Sequence, residues 1–135
     1  MSPALGRLKR RAEFLRVAGT RLKWVAPGLI LQARRHATDD SQAEGPFPVR
    51  VGFTVSRKVG NAVVRNRARR RLRAAVERVF PEHAAAGVDF VVIGRQATLK
   101  RPFPGLIADL EAALRRLDVY RPDDGQGGKA ARQPV

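Results

Sequence analysis

The chain contains no cysteine. That excludes disulfides, thiolate metal sites and cysteine nucleophiles, and it is compatible with a reducing cytoplasm. Aromatic residues are few: one Trp, one Tyr and six Phe. No apolar run approaches the ~20 residues of a membrane-spanning helix. No helix with bulky aromatics on one side suggests a membrane-surface anchor, so no membrane partner is expected. The N-terminal stretch "MSPALGRLKRRAEFLRV" interrupts each short apolar run with charge and holds no signal-peptide core. A cytoplasmic location is therefore expected. Acids are scarce as well: 12 Asp and Glu stand against 27 Lys and Arg, for a formal net charge of +15 over 135 residues. Such a balance costs self-repulsion in a compact chain and makes an anionic partner, nucleic acid first, the leading expectation.

The length suits one domain with one hydrophobic core. Residues 7–18 read as a short helix, with Leu8, Ala12 and Leu15 on one side. Residues 22–35 are rich in strand formers but broken by Pro27-Gly28, which suggests two short strands or one bent edge strand. Residues 36–48 are polar with Gly and Pro and read as a loop. Strict alternation in "VRVGFTVS", 49–56, marks the clearest strand. A helical period runs from Ala62 to Phe80, with Val64, Ala68, Leu72, Ala75, Val76 and Val79 in one stripe, and Pro81 is read as its end. The apolar run 88–95 reads as a buried strand, 96–104 as a basic loop and 105–118 as a last helix. The expected fold class is α+β, in the order α-β-β-β-α-β-α, with a β-α-β unit around the second helix. One domain, 1–120, is expected, followed by a Gly/Pro-rich, disordered tail at 121–135.

The densest feature is "RNRARRRLR", residues 65–73, with six arginines in nine positions. Arg65, Arg69 and Arg73 recur every fourth residue and stack along one stripe. No carboxylate occurs between Lys58 and Arg73 to compensate the repulsion, and Glu77 is the first acid beyond it. Because Ala68 and Leu72 keep the apolar register, the segment is a helix with one buried side and not a disordered tag. A phosphate backbone would supply the missing counter-charge, and arginine suits bidentate phosphate contacts. Arg57 and Lys58 precede a Gly60-Asn61 turn, and the helix N-terminus that follows presents unpaired N–H groups. A strand and turn, not a helix-turn-helix partner, lead into this helix, which favours structured RNA.

"VGFTVSRKVGNAVVRNRARRRLRAA", residues 51–75, resembles the signature of the bacterial ribonuclease P protein component, S-[RK]-K-x-G-N-A-V-x-R-N-x-x-[KR]-R-x-x-R. "LKRRAEFLRV" resembles that family's first helix and "DFVVIGR" its last strand. The resemblance implies an α+β fold with a left-handed β-α-β crossover. It implies two RNA partners, ribonuclease P RNA and precursor tRNA, and no required protein partner. The RNA subunit is expected to carry catalysis and the Mg²⁺, with no cofactor, metal or catalytic residue in the protein. Arg57, Lys58, Asn61, Arg65, Asn66, Arg67 and Arg70 are carried over as contacts to the RNA subunit. Phe14, Arg69 and Arg73 are carried over as contacts to the precursor leader. Ala18 and Gln32 stand at or near positions that are aromatic in many members, which thins the stacking surface around Phe14.

Other chemistry finds little support. His36 and His83 are the only histidines and are read as ordinary surface residues. Asp39-Asp40 and Asp123-Asp124 fall in loop and tail and are read as solvated. Trp24 is read as a packing residue before a base-stacking one. Lys100 and Arg101 flank the last loop, either extending the basic surface or merely solvated. A general RNA chaperone or a DNA-compacting protein fits the composition, and only the 51–75 motif speaks against them.

Overall fold

Alternation decides which side of each strand meets the core. In the computed structural model, which describes residues 5–36 and 49–122, the elements are β1 (Leu5–Arg7), α1 (Arg11–Gly19), β2 (Lys23–Val25), β3 (Leu29–Arg35), β4 (Val49–Thr54), α2 (Ala62–His83), β5 (Val88–Gly94), α3 (Ala97–Lys100) and α4 (Phe103–Arg116). They build one five-stranded sheet in the order β1-β4-β5-β3-β2. β4 runs parallel to both β1 and β5, while β3 is antiparallel to β5 and β2. The chain thus passes from β4 through α2 to the parallel neighbour β5, the β-α-β unit expected from sequence. β5 has partners on both edges, which accounts for its nearly continuous apolar run.

One face of the sheet carries Leu29, Leu31, Ala33, Val49, Val51, Val88, Phe90 and Val92. Against it pack the apolar stripe of α2 (Ala68, Leu72, Ala75, Val76, Val79) and Leu106, Leu110, Ala113 and Leu114 of α4. Phe80 and Phe90 meet at 4.8 Å between ring centres. The other face is smaller. There α1 covers a cluster of Leu8, Val17 and Val91, with Phe14 and Ile93 beside it. Phe14 lies so close to the sheet that a Cβ at Gly52 would fall 2.5 Å from its ring, so only glycine fits.

Several boundaries differ from the sequence reading. The first helix starts at Arg11, not at residue 7, because residues 5–7 pair with β4 as an edge strand, and Leu8 N–H continues the contact to the Val51 carbonyl at 3.1 Å. Glu13 sets the start: its Oε1 accepts from the backbone N–H of Lys9 (2.8 Å) and Arg10 (3.0 Å). Pro81 does not end α2, which continues to His83. A proline this close to the C-terminus forfeits only one backbone bond, and Arg121 covers exposed carbonyls by donating to Pro81 O (2.6 Å) and Ala84 O (3.4 Å). Arg121 is therefore anchored to the domain, although the sequence reading places it in the tail. The expected loop at 96–104 contains the short α3, and α4 begins at Phe103 behind Pro102. Pro27-Gly28 does divide 22–35 into a hairpin. Gly28 N–H donates to Asp109 Oδ2 (2.9 Å) and Thr98 Oγ1 donates to Gly28 O (2.6 Å), which clamps the turn to α3 and α4. The expected loop at 37–48 and the tail from residue 123 lie outside the described residues.

The smaller face is held by charge. Arg50 on β4 is buried, and its guanidinium grips Asp89 on β5 with two bonds, Nε to Oδ1 at 3.0 Å and Nη2 to Oδ2 at 2.7 Å. Its Nη1 donates to Glu13 Oε2 on α1 at 3.0 Å. His36 Nε2 lies 2.8 Å from Asp89 Oδ1. Burial by itself raises the Asp89 carboxyl, but hydrogen bonds from Arg50 and His36 and the Arg50 charge outweigh it and hold the group below its ordinary value. Glu13 is lowered too, first by the Arg10 backbone N–H, against the opposing effect of burial, and then by Lys9 and Arg50.

Arg50→Ala is expected to cost about 3–5 kcal/mol, since it strands a buried carboxylate; urea denaturation measures it. Both carboxyls have lowered folded-state values, so their contribution is intact above about pH 4 and is lost as the pH falls through those values. An acid titration followed by circular dichroism should show that loss in the wild type and a flatter profile in Arg50→Ala.

Candidate nucleic-acid interface

The basic surface starts at the turn between β4 and α2. Val59 N–H donates to Ser56 O (3.1 Å), and Gln96 Nε2 donates to Lys58 O (3.0 Å), which ties the turn to the residue before α3. Gly60 lies against Val64, where a Cβ would come within 2.7 Å of that side chain. Asn61 then caps α2, its Oδ1 accepting from Val64 N–H at 2.9 Å. The first turn of α2 holds no acid. Its positive end is therefore not neutralised from within.

The arginines of α2 divide into two sets. Arg65 folds back, with Nε donating to Gly60 O at 3.2 Å. Arg71 turns toward α3, with Nε donating to Thr98 O at 3.0 Å and Nη2 to Arg101 O. These two fasten the helix to its neighbours. Arg67 and Arg70 are exposed, as are Arg57 and Lys58 in the turn. Arg69 Nη1 donates to Asn66 Oδ1 at 3.0 Å, which fixes that guanidinium on the helix surface. Val63, Asn66, Arg69, Arg70 and Arg73 line a basin of about 380 Å³. Val63 is 68% exposed, an apolar residue at the rim of a cationic site. Arg73 is half-buried, its guanidinium 5.8 Å from the centre of the Phe53 ring.

The structure gathers Asn66, Arg69, Arg70 and Arg73 but does not bring Phe14 to them. Phe14 sits under α1 on the smaller face of the sheet, while α2 covers the larger one. By strand alternation Gln32 shares the Phe14 face, and Ala18 is exposed on α1. Phe14, Arg69 and Arg73, expected together at one leader site, are divided by the sheet, Phe14 on the α1 side and the two arginines on the α2 side.

Other expectations are corrected or sharpened. The histidines are not ordinary surface residues. The His36 side chain is 13% exposed and bonded to Asp89, and His83 stacks on Tyr120 at 4.7 Å with Nδ1 3.0 Å from Arg121 O. Trp24 packs against the main core, with Arg116 4.9 Å from its ring centre. Arg101 does not extend the basic surface, because it is engaged in a two-bond pair with Asp109 at 3.0 and 2.9 Å. Lys100 is exposed. The Arg50 network escaped the sequence reading. Its signal was Asp89, one acid inside the apolar run "VDFVVIG", whose register partner on β4 is Arg50. Among the described residues, no three of His, Cys, Asp or Glu gather where they could hold a metal, and no helix is long and apolar enough to cross a membrane.

A mixed sheet that displays an arginine-rich helix, with no acid before Glu77, behind a tight basic turn defines an α+β protein shaped for a phosphate backbone. The comparisons agree on which one. The Ribonuclease P family model matches residues 3–118. The ribonuclease P protein component of Paramagnetospirillum magneticum is 62% identical over 121 residues, covering 90% of this chain and 89% of that protein. That of Gluconacetobacter diazotrophicus is 52% identical over 119 residues, covering 88% and 97%. The fold matches the Staphylococcus aureus ribonuclease P protein with a TM-score of 0.66 at 24% identity, over 85% of this chain and 97% of that one. The Thermotoga maritima protein matches with 0.62 at 25% identity, over 82% and 96%. The chain belongs to the ribonuclease P protein family, the protein component of the endoribonuclease that matures tRNA 5′ ends.

Asn61→Ala should destabilise the fold by about 1 kcal/mol through loss of the cap. Arg70→Gln should leave stability unchanged or raise it by a few tenths of a kcal/mol, most at low salt, because it relieves repulsion from Arg67 and Arg73. Thermal melts at two salt concentrations measure both.

Proposed function

We propose that this chain binds ribonuclease P RNA through the turn and outer face of α2, and engages the precursor-tRNA leader at the α1 face. The observation that carries the reading is the basin on α2, lined by three arginines and no carboxylate. Arg57, Lys58, Arg67 and Arg70 provide exposed charge for phosphates. Asn61 and Arg65 hold the turn in shape, and Asn66 positions Arg69. Arg69 and Arg73 belong with the same surface, since a leader strand touching both them and Phe14 would have to pass around a sheet edge.

Phe14 supplies the aromatic for the leader. With Ala18 and Gln32 near it, stacking is limited, and charge carries more of the leader affinity. In this reading the Mg²⁺ of the reaction is held by the RNA subunit. The protein's part is then electrostatic and positional. It screens repulsion between two RNAs and adds affinity for precursor over mature tRNA, which favours substrate binding and product release. It would work in the cytoplasm, without a protein partner.

Cleavage of a precursor tRNA at low Mg²⁺ tests the division of labour: activity is expected only when protein and ribonuclease P RNA are mixed. Cleavage by the protein alone would reject it. Protein–RNA affinity should fall with salt along a log–log slope between about −3 and −5 for ~5 phosphate contacts, and Arg70→Gln should flatten it by about 0.7–0.9. In a leader-length series, Phe14→Ala should cost affinity only for substrates that carry a leader, whereas Arg69→Ala should weaken the complex by the same factor at every leader length; a loss in Arg69→Ala that grows with the leader would return Arg69 to the leader site.

A further inference from the structure

Arg73 lines two hollows at once. On its outer side is the cationic basin. On its inner side, between α2 and the edge strand β1, lies a second pocket of about 180 Å³. Leu5, Val51, Phe53 and Val76 form its apolar walls, and Arg7, Arg73 and Glu77 bring charge to it. Arg73 Nε is buried and has no hydrogen-bond partner. A buried donor left unmatched is costly, so an acceptor arriving there gains more than it would at the open surface.

We propose that the two hollows form a single nucleotide site, which receives one unstacked nucleotide of the partner RNA. Its phosphate rests in the basin against Arg69 and Arg70, and its base enters the pocket under β1. The walls explain why a base and not a second phosphate goes in: they offer aliphatic and aromatic surface to a flat apolar ring. Two of the three charged groups have a direct use. Arg73 Nε donates to a ring nitrogen or carbonyl oxygen of the base, and Glu77 accepts from an amino or ring N–H. Glu77 would repel a phosphate at that position, which separates base end from phosphate end. This site lies on the α2 face, opposite Phe14. It deepens the RNA-binding reading of α2 and rests on it.

Two experiments test it. The full-length, isotope-labelled chain is titrated with a nucleoside 5′-monophosphate, the matching nucleoside and inorganic phosphate. The monophosphate should shift the Arg73 Nε–H signal together with methyls of Leu5, Val51 and Val76, whereas inorganic phosphate should shift only Arg69 and Arg70. Equal responses to monophosphate and inorganic phosphate would mean an anion site alone and overturn the proposal. In the complex with ribonuclease P RNA, Leu5→Trp fills the pocket from the edge strand. Affinity should drop about tenfold with the salt slope unchanged, because no phosphate contact is lost. Phe53→Leu removes the aromatic wall without touching β1 and should act in the same direction. Full affinity in both variants, with Arg70→Gln still flattening the slope, would reject the base pocket and leave the α2 interface standing. An unchanged slope in Arg70→Gln would reject the interface itself.

Discussion

The Arg50 guanidinium is the interaction on which the smaller half of the molecule depends. It reaches from β4 to Asp89 on β5 and to Glu13 on α1, so one side chain joins three elements. Apolar burial on that face is slight, three buried residues with Phe14 and Ile93 beside them. That would be a weak anchor for a nine-residue helix. Glu13 gives the network its direction: one oxygen caps the start of α1, and the other receives Arg50. Position and starting point of the helix are thereby settled together. A buried ion pair is weak evidence for net stability; what its geometry supplies is position. Here it places Phe14 over Gly52.

The larger half faces the opposite electrostatic problem. α2 concentrates like charge that the fold itself must accommodate. The structure spreads the load. Arg65 and Arg71 donate to backbone carbonyls of neighbouring segments, so two of the six arginines in residues 65–73 serve the domain. Arg67, Arg69, Arg70 and Arg73 remain for a partner. The apolar stripe underneath packs on the sheet and offsets what repulsion is left. A surface tuned in this way is strained for want of anions and relieved by a phosphate backbone.

Much of this was legible before any coordinates. The stripe from Ala68 to Val79, the break at Pro27-Gly28, the alternation of β4 and the apolar run of β5 all appear where periodicity puts them. β1 did not, since three residues carry no period, and their strand geometry comes only from pairing with β4. Pro81 misled because the rule against proline in helices weakens in the last turn. The histidines were misread because local polarity hides partners 53 and 38 residues away in sequence.

The amino-acid sequence by itself determined the chemistry: an acid-free run of arginines in helical register, the turn residues that launch it, and the apolar periods that give it a core. These are local properties, set by spacing along the chain. Only the tertiary structure decided which arginines are spent inside the domain, that Phe14 and Arg73 lie on opposite faces of the sheet, and that β1 closes a pocket beside α2. Those outcomes depend on strand order and on pairs distant in sequence. A one-dimensional pattern specifies what each residue can do, but the packing of sheet against helix selects the neighbour with which it does it.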